Sequence, residues 1–214
     1  FPPQRLSEIE TFQLEQELYR RTLEKIYVPI EKNLSCLENF LQDDKQTVLA
    51  LIGDSGSGKS ATISNWLKTH SDDKNFDFIY CFLQASNKGA DINSVLEYLD
   101  AKLSNLLGIE TQDNILGNNN NAEEVFKKHF AEVTSDRKLV LILDGVNILD
   151  DPNDKLLNWI PKVTDGSKII LSTLESDITY QSILRKEYHT EIITLLDDNQ
   201  LKTKYVKSYL GQYG

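Results

Sequence analysis

The stretch from Thr47 to Ser60, TVLALIGDSGSGKS, constrains this chain more than any other, because an apolar run passes into a glycine-rich turn and then into the start of a helix. Gly53, Gly58, Lys59 and Ser60 fit the spacing G-x-x-x-x-G-K-[ST], in the strand-then-helix setting that this spacing needs. Such a turn suits a polyphosphate. Glycine lets backbone approach the anion closely. The N–H groups of Asp54, Ser55, Gly56, Ser57, Gly58, Lys59 and Ser60 are expected to form a concave nest backed by the positive end of the helix dipole. Ala61, in the first helical turn, belongs to the same expected contact set. Lys59 is expected to reach the β- and γ-phosphates and the Ser60 hydroxyl to take a coordination position on Mg²⁺, so ATP or ADP with Mg²⁺ is the expected ligand. The competing reading, a flexible Gly/Ser surface loop, is disfavoured by the position of GKS where a buried strand meets a helix.

Around this turn, strands alternate with helices. Leu6 to Tyr27 has apolar residues at helical spacing behind a Ser7/Glu10 capping box, and a second helix is expected from near Asn33. After the loop helix, about 58–70, FDFIYCFL from Phe76 reads as a covered strand, and Asp91 caps a helix running to about Leu107. Residues 108–121, with asparagines at 118–121, read as a mobile loop before a helix over about 122–134. KLVLILD ending at Asp144 is a third strand, Asp154–Ile160 a short helix stopped by Pro161, and KIILST ending at Thr173 a fourth strand. Glu191–Leu195 suggests a fifth, followed by a terminal helix over about 197–210. The pattern predicts a three-layer α/β/α sandwich on a parallel sheet of about five strands, with the ligand at the strands' carboxyl ends. Residues 1–44 are expected as a helical lead-in and 45–214 as the nucleotide domain.

Asp144 closes an aliphatic strand and is followed by Gly145, as expected of a carboxylate that holds Mg²⁺ directly or through water. Hydrolysis also needs a group on the attacking water. In DGVNILDD, Asn147 cannot act as a base, which leaves Asp150 or Asp151, each of which could instead cap the next helix. Thr173 is a candidate sensor of the γ-phosphate.

A net charge of −10 argues against a broad duplex-binding surface, so nucleic acid is not an expected partner. No apolar run approaches the roughly 20 residues that cross a bilayer, and FPPQRLSEIE lacks the apolar core of a signal peptide. A soluble, cytoplasmic protein without a membrane partner is expected. Cys36 and Cys81 are read as reduced core thiols, and the Asn33-Leu34-Ser35 acceptor pattern as a helix start. A chain opening on Phe1 and closing on Gly214 reads as a piece of something larger.

GDSGSGKSATISNW, FLQASNKGADINSVLEYL, LVLILDGVNILDD, NWIPKVTDGSKIILSTL and SYLGQYG together resemble the STAND-class P-loop NTPases. The likeness is to NACHT and AAA-like ATPase domains, especially the NTPase module of nephrocystin-type proteins with tetratricopeptide repeats. The resemblance implies a Mg-dependent nucleotide module, a strand order of 5-1-4-3-2, and nucleotide state controlling assembly through self-association or protein partners. Tyr27-Val28-Pro29-Ile30 stands where the group carries Y-[IV]-G-R, which places Val28 beside the adenine. DGVN replaces the NACHT pattern D-G-x-D-E, which implies slow turnover or none. His70, His129 and His189 are expected in helix ends or loops without a ligand role.

Two functions follow: a slowly hydrolysing ATPase switch within a larger protein, and a nucleotide-bound scaffold with negligible hydrolysis. A nucleoside kinase is disfavoured because Arg5, Arg20, Arg21, Arg137 and Arg185 make no arginine cluster after the fourth strand.

Overall fold

A computed structural model describes residues 6–27, 29–70, 73–109, 122–133, 138–163 and 166–194, with isolated positions at Thr203, Val206, Lys207 and Leu210. Val28, most of the expected 108–121 loop and nearly all of the expected 197–210 helix lie outside the described residues.

The strands are β1 (Val48–Ile52), β2 (Phe76–Phe82), β3 (Lys138–Asp144), β4 (Ser167–Thr173) and β5 (His189–Ile192). They form one sheet in the order β2-β3-β4-β1-β5, parallel at every pairing. This is the 5-1-4-3-2 order read from the other edge. The aliphatic runs are explained by burial on both faces. Val48, Ala50, Ile52, Leu139, Leu141, Leu143, Ile169 and Leu171 face one core, and Leu49, Leu51, Val140, Ile142 and Ile170 face the other. Helices α4 (Ile92–Leu107), α5 (Ala122–Ala131) and α6 (Ile178–Arg185) cover the first face through residues such as Leu99, Phe130 and Ile183. Helices α2 (Glu31–Gln42) and α3 (Lys59–Thr69) cover the second through Leu37, Phe40, Ile63 and Trp66. Each such fully buried side chain is worth roughly 1.5–3 kcal/mol.

Helix α1 (Glu8–Ile26) begins with the Ser7/Glu10 capping box in place. It lies along the β2 edge rather than on one face: Phe12 enters the first core, whereas Tyr19 and Leu23 pack against the second. Between them the buried Gln16 side chain accepts from the Phe82 N–H at 2.7 Å and donates to the Phe82 carbonyl at 3.1 Å. An exposed strand edge is a template for unwanted pairing, and here one amide side chain closes part of it.

Four expectations are corrected. Helix α2 begins at Glu31, so Asn33 lies inside the first turn rather than at the cap, and its Nδ2 is buried without a partner. Residues 154–160 form only a 3₁₀ turn at Asp154–Leu156. There Trp159 Nε1 donates to the Asp154 carbonyl and Leu157 turns left-handed at φ 58°, which ends the helix before it can propagate. The fifth strand begins two residues early, at His189. Helix α6, capped by Asp177 onto Thr179, stands where no helix was expected. Cys36 and Cys81 are both free thiols. No described helix is long and apolar enough to cross a membrane.

Candidate functional site

The turn between β1 and α3 stands at the carboxyl edge of the sheet. Gly56 and Gly58 adopt φ of 78° and 94°, a region costly for side-chain-bearing residues, and a Cβ at either would meet open space. Gly53 is required for a different reason: a Cβ there would lie 2.3 Å from the Ile193 carbonyl oxygen. That close approach seats the turn on the end of β5, where Ile193 N–H also donates to the Ile52 carbonyl at 2.7 Å. Asp54, Ser55 and Gly56 are exposed, and the Ser57 N–H folds back onto the Asp54 carbonyl at 3.2 Å. Helix α3 opens at Gly58 with no side-chain cap on its first turn. Ala61, partly buried, belongs to that turn.

Lys59 is buried beneath the turn, with Nζ donating to the Gly53 carbonyl at 2.8 Å, the Asp54 carbonyl at 2.9 Å and Ser57 Oγ at 3.3 Å. Burial pushes its pKa down, and the charges of Asp144 and Asp54 pull it back up. Among the described residues its bonding partners are neutral, so the cation is solvated by the loop rather than paired.

Asp144 ends β3 and is almost fully buried. Burial raises its pKa, opposed by hydrogen bonds from Ser172 and Ser60 and by the Lys59 charge. Ser172 was not singled out by the sequence. It lies one step beyond the Leu143–Leu171 pairing, and its hydroxyl donates to Asp144 Oδ1 while accepting from the Gly145 N–H at 2.8 Å. A single hydroxyl thus fixes both the carboxylate and the left-handed turn at Gly145. Only the register of β4 against β3 reveals this; a serine in a strand carries no signal by itself.

Thr173 is fully buried, and its hydroxyl bonds to Thr179 Oγ1, which in turn donates to the α6 cap Asp177 at 2.8 Å. Asp150 and Asp151 are exposed. The Asp150 N–H donates to the Ala90 carbonyl, and Asp151 Oδ1 accepts from the Asn153 N–H at 2.8 Å. The histidines stand away from this turn: His70 caps α3 and pairs with Glu38, His129 lies within α5 against Asp100, and His189 opens β5. His129 stands in the last turn of α5, as expected of a helix end, whereas placement of His189 in a strand corrects the expectation of helix ends or loops.

A second residue missed by the sequence is Tyr19. Its half-buried ring packs on Phe82 at a centroid distance of 5.7 Å, and Phe82 pairs in register with Asp144.

The residues fit a magnesium-bound nucleotide. A buried ammonium held by neutral acceptors, an uncapped helix start and a glycine turn open to solvent suit a polyphosphate. One carboxylate and one hydroxyl are hard oxygen donors of the kind Mg²⁺ takes while keeping several waters.

The AAA domain family matches residues 42–177, more than half of the chain. The chain belongs to the AAA domain family. This AAA domain is therefore a nucleotide-binding P-loop module, of a family that binds nucleotide with Mg²⁺. It is similar to a TPR repeat-containing protein of Dictyostelium discoideum, 26% identical over 220 residues that cover 84% of this chain and 13% of that protein. It is also similar to tetratricopeptide repeat protein 41 of Rattus norvegicus, 24% identical over 178 residues that cover 78% of this chain and 14% of that protein. The AAA domain thus spans a small part of the length of these curated relatives. Among solved structures, Cdc6p of Pyrobaculum aerophilum shares its fold, with a TM-score of 0.52 at 14% identity over 81% of this chain and 48% of that one.

Proposed function

We propose that this AAA domain is the nucleotide-controlled switch of a larger protein, binding Mg-ATP and Mg-ADP in the β1–α3 turn and hydrolysing ATP slowly. The observation that carries this reading is the buried Lys59 ammonium, influenced by the charge of the buried Asp144 carboxylate, beneath a turn whose Gly56 and Gly58 face open space. In the proposed complex the backbone from Gly53 to Ala61 cradles the phosphates and Lys59 neutralises them. Ser60 and Asp144 hold the metal, Val28 lines the adenine side, Thr173 reads the γ-phosphate, and Asp150 or Asp151 orients water. The bound metal supplies neutralisation of charge on the phosphate oxygens. The relatives named for tetratricopeptide repeats support the STAND-class and nephrocystin-type likeness, in which nucleotide state governs assembly with itself or with protein partners. Residues 1–44 act in this reading as a helical lead-in to the 45–214 domain.

A hydrolysis-deficient scaffold is favoured by one observation: Asp150 and Asp151 are exposed, and Asp151 spends an oxygen on the Asn153 amide. Single-turnover release of γ-phosphate separates the two. The switch predicts release by the wild type above a Lys59→Ala protein and a drop in Asp150→Asn or Asp151→Asn. Equal release from all four, with nucleotide still bound by the wild type, selects the scaffold. Absence of ADP or ATP from the purified protein, together with no binding of added Mg-nucleotide, overturns both.

A further inference from the structure

Strand β4 runs between β3, which ends at Asp144, and β1, which leads into the phosphate turn. Its last residue, Thr173, pairs in register with Ile52, immediately before Gly53. Thr173 is fully buried, and its hydroxyl is turned to α6, where it meets Thr179 Oγ1. Thr179, the second residue of α6, is itself fully buried. Its hydroxyl lies 2.8 Å from Asp177 Oδ1, which also accepts the Thr179 N–H at 2.9 Å. Lys155 Nζ donates to the other carboxylate oxygen, Asp177 Oδ2, at 3.1 Å.

These contacts fix the direction of the protons. Burial opposes the charge of Asp177, yet the Thr179 N–H and hydroxyl and the Lys155 ammonium hold its carboxyl below the ordinary value, so at neutral pH it only accepts. A threonine hydroxyl has one proton to give. Thr179 gives its own to Asp177, so between the two hydroxyls Thr173 is the donor. The Thr173 proton is thereby spent beneath α6. A phosphate oxygen, which only accepts, needs that same proton.

We propose that Thr179 is a positioning residue of the γ-phosphate site: anchored by Asp177, it competes with the terminal phosphate for the Thr173 proton and so lowers the preference of the domain for ATP over ADP. The inference rests on the function proposed above, in which Thr173 senses the γ-phosphate, and adds to it the group that opposes the sensor. Turning the Thr173 hydroxyl to the phosphate leaves a buried Thr179 oxygen without its donor. A chain of hydroxyls ending on a carboxylate also holds its protons more firmly than an isolated pair of hydroxyls does. ADP, which lacks a γ-phosphate, leaves the chain intact.

The test measures affinities for Mg-ADP and for the Mg complex of the β,γ-imido analogue of ATP, by displacement of a fluorescent ADP analogue. The proteins compared are the wild type, Thr179→Val, Thr179→Ser, Thr173→Val and the double valine variant. Valine keeps the branched shape at 179 and removes the competing oxygen. The expected result in Thr179→Val is a rise of about three- to tenfold in the preference for the triphosphate, the worth of one hydrogen bond, with Mg-ADP affinity within about twofold of the wild type. Serine keeps the hydroxyl and should return the wild-type ratio. Acting through Thr173, the effect should vanish in the double variant, whose ratio should match that of Thr173→Val. Asp177→Asn keeps a capping oxygen but not the charge, should raise the ratio in the same direction, and decides the matter if Thr179→Val does not fold. A purely structural role for Thr179 would lower the melting temperature and leave the ratio of affinities untouched, and that result overturns the proposal. So does a rise that persists in the double variant. Failure of the wild type to bind either nucleotide overturns the nucleotide reading itself, whereas wild-type binding with an unchanged ratio in Thr179→Val overturns this inference alone.

Discussion

Ser172 donates its hydroxyl hydrogen bond to Asp144 across the β3–β4 pairing, and this is the neutral donor that makes a carboxylate tolerable at the buried end of an aliphatic strand. Burial nevertheless leaves the pKa of Asp144 above its ordinary 3.8. The folded state therefore holds this proton more tightly than the unfolded state does. The resulting stability is fully present below the ordinary carboxylate range and is lost as pH rises through the raised value.

Asp144→Asn should consequently be more stable than the wild type at neutral pH without nucleotide, with a melting temperature higher by a few degrees, about 2–4 °C per kcal/mol for a chain of this size. The difference should close as pH falls toward about 4. Stabilisation by Mg-nucleotide should vanish in the same variant. Melting curves across pH check both, and a variant less stable than the wild type at pH 7 contradicts the burial argument.

Lys59→Met should lose its response to nucleotide rather than its fold. At ligand concentrations of about 100 Kd, binding stabilises the wild type by roughly 2.7 kcal/mol, which corresponds to a shift of about 5 °C or more. The variant should show less than about 1 °C under the same conditions. Equal shifts would remove Lys59 from the phosphate site.

Gly53→Ala and Gly56→Ala should differ although both alter one turn. At Gly53 the new methyl meets the Ile193 backbone at 2.3 Å, so β5 must move. The expected cost is several kcal/mol, as for an overpacked core. At Gly56 the space is open and only the φ of 78° opposes a side chain, for about 1–2 kcal/mol. Urea denaturation of both variants gives the comparison, and equal costs would contradict the seating of the turn on β5.

Gln16→Leu should destabilise the chain by about 2–4 kcal/mol, because it leaves the buried Phe82 N–H and carbonyl without partners while keeping a similar volume. Hydrogen exchange at the Phe82 amide should accelerate correspondingly. An unchanged exchange rate would mean that α1 does not close the β2 edge.

Cys36 and Cys81 should resist alkylation in the folded protein. Burial pushes the Cys36 thiol up to about 11 and the Cys81 thiol higher still, so little thiolate exists at neutral pH. Rapid labelling by iodoacetamide at pH 7.5 would contradict the burial of Cys81 and the raised thiol of the partly buried Cys36.

Much of this protein is local and therefore legible from its residues in order. The glycine turn with its lysine and serine, the capping box at Ser7, the Asp91 cap and the aliphatic strands ending at Asp144 and Thr173 each depend on neighbours within a few positions. Alternation of strands and helices then limits the architecture to a covered parallel sheet. What the order of residues could not reveal depends on which strands and helices meet. Ser172 reaches Asp144 only because β4 pairs with β3 in one register, Gly53 is forced by the carbonyl of Ile193 some 140 positions later, and Gln16 and Tyr19 reach Phe82 across more than 60. Short-range propensity is a property of sequence, whereas these contacts come from packing that brings distant backbone into hydrogen-bond range. The chemistry of the turn was written in its residues, and the surroundings that tune its charge were decided by the fold.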